Sequence, residues 1–402
     1  MTVIAEPLPR PRDVGLGFGI YVHVPFCSHR CWYCDFNAYA GADDAIPGYM
    51  AALARDAREA LSSPEPLTDR PEVTSVFVGG GTPSLVPAPM LVAVLDALRS
   101  GWNLASDVEV TVECNPESAD PAKLAAYLRA GVNRISFGVQ SLDDALLQRL
   151  GRVHDAGTAF RAIGSARSAG FEDVNADLIF GIPGEDDDMW RASLDGVVGS
   201  GVTHVSCYGL TYEEGTPLEA WRRLGHVVPE PDDDVARRWE IADATLASAG
   251  FERYEISNWA RPGRECRHNL LYWACGEYLG IGAGAHSHLA CEGASVRSWT
   301  VKAPARYTSD VTARQRPVGG SERIDAPGRA AEVMFLGLRR CTGVSRQGFA
   351  DLTGTDLDTR YGAVLERSLK AGLLEPTRDG YRLTARGTLV ANEVVTGFLD
   401  PA

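Results

Sequence analysis

A chain of 402 residues is long enough for two or three domains, or for one large domain with a small companion. With 45% hydrophobic and 23% charged residues it can bury a sizeable core, which excludes disorder, collagen and coiled coil as its main state. The 39 Lys+Arg against 53 Asp+Glu leave a net charge of −14, which argues against a general binder of nucleic acid or anionic membranes.

At the start of the chain, Glu6, Arg10, Arg12, Asp13 and several prolines do not follow the charged-then-apolar order of a signal peptide. No signal peptide is expected, and residues 1–18 are expected to form a disordered segment. No apolar run approaches the roughly 20 residues that span a bilayer. Nine cysteines make neither a disulfide scaffold nor an even set. Three of them, Cys27, Cys31 and Cys34, lie close together, and such thiols suit a reducing cytoplasm.

From residue 19 to 260, β-branched runs alternate with longer amphipathic stretches. The spacing predicts strands at 20–24, 73–78, 108–112, 134–139, 173–180 and 204–210. Helices are expected at 46–61, 88–99, 122–130, 156–169, 189–198 and 234–247. Asp120 and Pro121 open the third helix with a cap and a first-turn proline. Repeated strand–helix units imply an α/β fold, a parallel sheet with helices outside. Six units fall short of the eight in a complete barrel, so the expectation is a partial, open (β/α)6 barrel.

After residue 260 the character changes. Residues 261–322 are rich in Gly, His, Ser and Trp and are expected to form irregular structure around a site and a connection. Helical patterns return at 330–338, 345–350 and 358–371, followed by a hairpin turning at Asp379-Gly380. Residues 323–402 therefore suggest a small C-terminal winged-helix-like domain. They carry no basic stripe, and nucleic acid is not an expected partner.

The segment PFCSHRCWYC places Cys27, Cys31 and Cys34 directly after the first strand. Thiolates so close on one loop can converge on an iron–sulfur cluster, and three ligands leave one iron of a [4Fe–4S] cube open for chemistry. The competing readings are a zinc site with His23 or His29 as fourth ligand, or plain buried cysteines. The second strand runs into Gly79, Gly80, Gly81 and Thr82, a turn that lets a ligand approach the backbone. Glu113, Gln140 and Asp177 stand at the next strand mouths, with Arg152 on the helix after strand four. Ligands bind at that edge of a parallel sheet, and the set suits a polar, amine-bearing cofactor.

The cysteine motif, the glycine turn, Glu113 and DLIFGIPGE together resemble a radical S-adenosylmethionine enzyme. More narrowly, YVHVPFCSHRCWYCDFN, GGGTP, ECNP, SFGVQS and LGRVH resemble the branch that contains oxygen-independent coproporphyrinogen III dehydrogenase and the HemW-type haem chaperones. The resemblance covers residue 19 to the C-terminus. It implies that Cys27, Cys31 and Cys34 hold [4Fe–4S] and that S-adenosylmethionine chelates the open iron. Reduction then cleaves the sulfonium to a 5′-deoxyadenosyl radical, chemistry that belongs to the cofactor. By motif, Tyr21, Gly80, Glu113 and Arg152 are its implied contacts. Tyr33, Gly81, Thr82, Gln140 and Asp177 match a second such site found in the oxidases.

Two departures favour the chaperone side. The oxidases place a fourth cysteine two residues after the third, where this chain has Cys34-Asp35-Phe36, and they carry a longer N-terminal segment. RHNLLYW resembles the motif associated with haem binding, which implies haem contacts for His268, Asn269, Tyr272 and Trp273. An imidazole could ligate haem iron while the aromatic faces meet the macrocycle. The alternative is that His268 and Asn269 tie down a loop and the aromatics fill core. Haem and haem-acceptor proteins, respiratory and membrane-associated ones among them, are the implied partners, and a homodimer is open. The enzyme alternative is the dehydrogenase of porphyrin biosynthesis, which decarboxylates propionate side chains oxidatively.

The remaining candidates read blandly. Cys114 and Cys207 are expected to pack as small hydrophobes on strands. Cys266 and Cys275 flank the haem-type motif, and His286 and His288 sit in a glycine-rich turn. GEDDDMW is an acidic helix start that complements the helix dipole.

Overall fold

The computed structural model describes residue 11 and residues 15–65, 70–291 and 294–399. The segment expected to be disordered, 1–18, lies outside the described residues except for Pro11 and residues 15–18. Six parallel strands stand side by side in chain order: β1 (Phe18–Val24), β2 (Val73–Gly80), β3 (Leu104–Cys114), β4 (Arg134–Gln140), β5 (Asp173–Phe180) and β6 (His204–Gly209). Each pairs in parallel with the next, as the alternation of strands and helices requires.

The crossovers carry α1 (Ile46–Glu59), α2 (Ala88–Gly101), α3 (Pro121–Arg129), α4 (Ala156–Ala169), α5 (Asp187–Gly199) and, after β6, α6 (Asp232–Ser248). Ile20, Val22 and Val24 of β1 join Leu53, Leu95, Trp190 and Leu194 of the helices in one core. The strands are buried on both faces, which explains why they read as near-continuous apolar runs. The Asp120 carboxylate accepts from the Lys123 amide at 2.8 Å, so the predicted cap starts α3. Asp186 does the same for α5, accepting from the Met189 amide.

The sheet does not stop at these strands. On the β6 side, β7 (Asn258–Ala260) and the two residues Glu252–Arg253 add antiparallel edges. On the other side, β8 (Glu277–Ile281) pairs parallel with β1, and β9 (His286–Cys291), β10 (Ala294–Thr300) and β11 (Val318–Ile324) continue antiparallel. The expectation of irregular structure over 261–322 is therefore corrected, because most of that stretch is sheet plus the helices α7 (Arg267–Trp273) and Pro304–Thr312. The glycines that suggested loops serve close approach. A Cβ on Gly280 would lie 2.0 Å from the His286 carbonyl oxygen.

Helix α8 (Ala326–Gly337), the helices Arg346–Thr353 and Leu357–Lys370, and a three-stranded sheet of Val344–Ser345, Gly380–Leu383 and Leu374–Pro376 form a helix-and-wing unit. Its core gathers Met334, Phe349, Leu357, Tyr361 and Phe398, and Cys275 from the barrel side joins it. No helix among the described residues is long and apolar enough to cross a membrane.

Candidate functional site

The cluster loop leaves β1 and is tied at its neck, where Phe26–Cys27 pairs with Tyr39–Ala40. Its far side is pinned to the barrel, with the Trp32 amide donating to Leu150 O at 3.1 Å and the Leu218 amide donating to Trp32 O at 3.0 Å. Cys27, Cys31 and Cys34 all face one cavity that opens at the C-terminal ends of the strands. Tyr33, Gly80, Gly81, Thr82, Glu113, Gln140, Arg152 and Asp177 line the same cavity. Of the implied cofactor contacts there, Tyr21 alone is not in the lining, and its hydroxyl bonds His23 Nδ1 at 3.0 Å.

The donor set fits a three-thiolate cluster with an open position. His23 cannot complete a zinc site, since Tyr21 occupies Nδ1 and Nε2 donates to Asn37 O at 2.9 Å. His29 Nε2 lies 3.0 Å from the Gly151 carbonyl, so that nitrogen carries a proton and has no lone pair for a metal. Among the described residues, only Cys275, His288 and Glu332 bring three donor atoms within 4.8 Å of one another. The loop thiols are thus spread wider than one ion would hold them. A cradle is also present, because a Cβ on Gly81 would stand 3.0 Å from Cys27 Sγ and 2.7 Å from Phe26 O. Only glycine leaves that approach open.

Charge in the cavity is arranged around two functions. Arg152 donates to Cys31 Sγ at 3.4 Å and to Asn115 Oδ1 and Gly138 O at 2.9 Å each, which fixes its guanidinium. Burial opposes ionisation of Cys31, but the His29 hydrogen bond and the Arg152 charge outweigh it and lower that thiol. Burial pushes Cys34 up to about 11. Burial first and repulsion from Asp177 second push Glu113 up to about 8, although Glu113 Oε2 accepts from the Gly80 amide at 3.0 Å. Asp177 is also raised by burial, against hydrogen bonds from Ser206, Ser136 and Asn175. Two half-buried carboxylates, one of which is disfavoured by the other's charge, suit a cationic ligand, such as the ammonium of an amino acid.

The His268–Trp273 motif lies elsewhere. It forms α7, which fills the barrel interior at the N-terminal ends of β1 and β2, away from the cysteines. The Glu109 carboxylate caps this helix from β3 by accepting from the Arg267 and His268 amides at 3.0 Å each. His268 is 1% exposed, its Nδ1 2.9 Å from Ser75 Oγ and its ring stacked on Phe77 at 5.4 Å. Burial pushes its imidazole down to about 3, so it is neutral, and Nε2 has no hydrogen-bond partner. Tyr272 packs edge-on to His268 and Tyr278, and the Arg339 guanidinium covers Trp273. These residues do not fit a haem in this conformation, since Gly19, Ser75, Phe77 and Tyr272 enclose the His268 ring and its free Nε2 is buried.

Sequence reasoning missed the groups that seat α7. Glu109 and Arg134, 4.0 Å apart, and the network from Asn175 through His204 to Tyr254 line the barrel floor. Polar side chains at alternate positions of apolar strands are their only signal. Cys114, Cys207 and Cys266 are buried, and burial raises each thiol. The Cys34-Asp35-Phe36 step puts Phe36 at the cavity mouth, 62% exposed.

A barrel of parallel strands with a three-cysteine loop at its mouth defines a class of protein. The family described as "Radical SAM superfamily" matches residues 21–196, and the "HemN C-terminal domain" matches residues 324–390. Coproporphyrinogen III oxidase (HemN) from Escherichia coli shares the fold, with a TM-score of 0.80 at 19% identity over 96% of this chain and 92% of that one. Similarity in sequence is higher to Heme chaperone HemW of Mycobacterium tuberculosis, 42% identical over 388 residues, 96% of this chain and 95% of that protein. Heme chaperone HemW of Bacillus subtilis is 34% identical over 94% of this chain and 98% of that protein. The chain belongs to the radical SAM superfamily and, within it, to the family of these HemW proteins. Membership of the superfamily implies a [4Fe–4S] cluster and S-adenosylmethionine as cofactors.

Proposed function

We propose that this chain is a haem chaperone that binds a [4Fe–4S] cluster and S-adenosylmethionine at the strand mouths, binds haem, and passes it to acceptor proteins. The observation that carries the reading is the near-full-length likeness to curated heme chaperones. The absence of a fourth cysteine after Cys34, with Asp35-Phe36 in its place, supports it. Cys27, Cys31 and Cys34 would hold the cluster, whose chemistry is one-electron reduction of bound S-adenosylmethionine. Arg152 favours the Cys31 thiolate and orients it. Glu113 and Asp177 would receive the ligand's ammonium, while Gly80, Gly81 and Thr82 offer backbone and hydroxyl to its polar edge. Tyr33 and Gln140 complete the lining, and Tyr21 supports it from behind through His23. The cytoplasm is the proposed location, and respiratory, membrane-associated proteins are the proposed acceptors.

The deciding experiment is anaerobic. Reconstituted protein is loaded with haem, mixed with an apo-haemoprotein, and followed by the acceptor's Soret band. In parallel it receives coproporphyrinogen III, S-adenosylmethionine and a reductant. Haem transfer without protoporphyrinogen formation is expected, and turnover at the rate of a genuine oxidase would replace this reading. Because α7 is buried, His268, Asn269, Tyr272 and Trp273 would meet haem only after that helix leaves the barrel. Haem titration of His268→Ala and Tyr272→Ala tests this, and unchanged affinity would place the haem site elsewhere.

A further inference from the structure

A second constellation lies outside the cluster cavity, at the seam between the extended sheet and the C-terminal unit. Cys275 ends the turn after α7, His288 stands on β9, and Glu332 on α8. One donor atom from each lies within 4.8 Å of the other two. Cys275 is 2% exposed and His288 5%.

The histidine points to a ligand. Its Nδ1 lies 3.0 Å from the Gly276 carbonyl oxygen. A carbonyl only accepts, so the proton sits on Nδ1 and Nε2 carries the lone pair. That Nε2 is buried and has no hydrogen-bond partner. A ring whose N–H is spent on a backbone carbonyl while its other nitrogen stays bare is how a protein prepares an imidazole for a metal.

The neighbouring groups are prepared as well. Arg297 donates to Glu332 Oε1 and, at 2.7 Å, to Glu322 Oε1, which holds the Glu332 carboxylate in place with a second oxygen to offer. Cys275 adopts φ 59°, a left-handed conformation that a cysteine seldom takes. Backbone outliers of this kind gather at sites of function. If packing were the only purpose here, an apolar side chain at 288 would avoid a buried, unpaired nitrogen.

We propose that Cys275, His288 and Glu332 bind one divalent transition-metal ion of the zinc type. One thiolate, one imidazole and one carboxylate suit zinc's tetrahedral preference, with water as fourth ligand. On binding, the Cys275 S–H bond breaks, its proton passes to solvent, and sulfur ligates the metal. The ion ties α8 of the C-terminal unit to β9 and to the end of α7. The inference stands independently of the haem and cluster readings.

The experiment removes the cluster thiols first, because they would also take zinc. The full chain carrying Cys27→Ser, Cys31→Ser and Cys34→Ser is equilibrated with zinc, desalted, and analysed by inductively coupled plasma mass spectrometry. One zinc per chain is expected, falling at least tenfold when Cys275→Ser or His288→Gln is added. With cobalt, the triple variant is expected to show a thiolate-to-metal charge-transfer band and a tetrahedral visible spectrum. Zinc should also raise its melting temperature, since the ion binds only the folded chain. If the additional substitutions prevent folding, the cobalt spectrum of the triple variant decides alone. A triple variant that retains no zinc and shows no cobalt–thiolate band overturns the proposal, as does full zinc retention by a folded Cys275→Ser chain.

Discussion

Glu113 shows how one residue can make this site depend on its ligand. Its carboxyl is pushed up to about 8 from an ordinary value of 4.5, by burial first and Asp177 second. A raised carboxyl binds its proton more tightly when folded, so its contribution is complete below pH 4.5 and is lost as pH rises through about 8. The ligand-free protein should lose up to a few kcal/mol between these limits. Glu113→Gln should flatten that slope, and melting temperatures of the metal-free chain from about pH 5 to about pH 8 check it. Arg152→Met should cut cluster loading several-fold under limiting iron and sulfide, because Cys31 loses the cation that favours its thiolate. Arg152→Lys should recover part of it, and iron and sulfide content per chain is the measurement. Gly80, Gly81, Thr82, Glu113 and Gln140 were legible because each sits within two residues of a strand end, where parallel sheets place ligands, and the three cysteines by their spacing on the loop after β1. His23 and His29 were not separable as ligands in the sequence. Only the positions of Tyr21 and Asn37 around His23, and of Ser28 and Gly151 around His29, show that their nitrogens are spent.

At the scale of elements, α7 is the informative case. Its sequence pattern marks aromatics and a histidine, yet only the tertiary structure shows that His268 faces Gly19, Ser75 and Phe77 inside the barrel while Tyr272 meets Tyr278 and Trp273 lies under Arg339. Glu109→Ala would remove the cap of that helix and leave Arg134 buried beside an empty position, at a cost of roughly 3–5 kcal/mol. Urea unfolding at neutral pH measures this, and a cost below about 1 kcal/mol would mean that the capping bonds carry little of the helix's stability. The six core strands were legible because burial on both faces writes a continuous apolar run. Strands β8 and β11 were not, because close packing holds glycine at Gly280, Gly319 and Gly320, while β9 and β10 mix polar and apolar residues instead of forming an apolar run. Glycine lowers strand propensity whatever its reason for being there.

For the whole molecule, the seam between barrel and C-terminal unit matters most. Arg339, on the C-terminal side, covers the Trp273 ring at 4.5 Å and stands 3.8 Å from the buried Glu255 carboxylate of the barrel. Burial raises the Glu255 carboxyl, so the arginine offsets an unfavourable charge. Arg339→Ala should cost about 2–4 kcal/mol and speed amide exchange in α7 and α8, read by hydrogen–deuterium mass spectrometry. A helix-and-wing unit was legible from its caps and its Asp379-Gly380 turn. The seam was not, since Glu255, Trp273 and Arg339 lie far apart in the chain and no local pattern couples them.

The plugged floor of the barrel has a kinetic meaning. While α7 stays seated and fills one end, the cavity is entered from the strand mouths beside Phe36. A blind vessel imposes last in, first out: the molecule bound deepest must load before a bulkier one docks above it, and cannot depart until that one has gone. Kinetics on this protein should therefore be sequential and compulsory in order, with the occupant of the upper position acting as a stopper on the release of the one below.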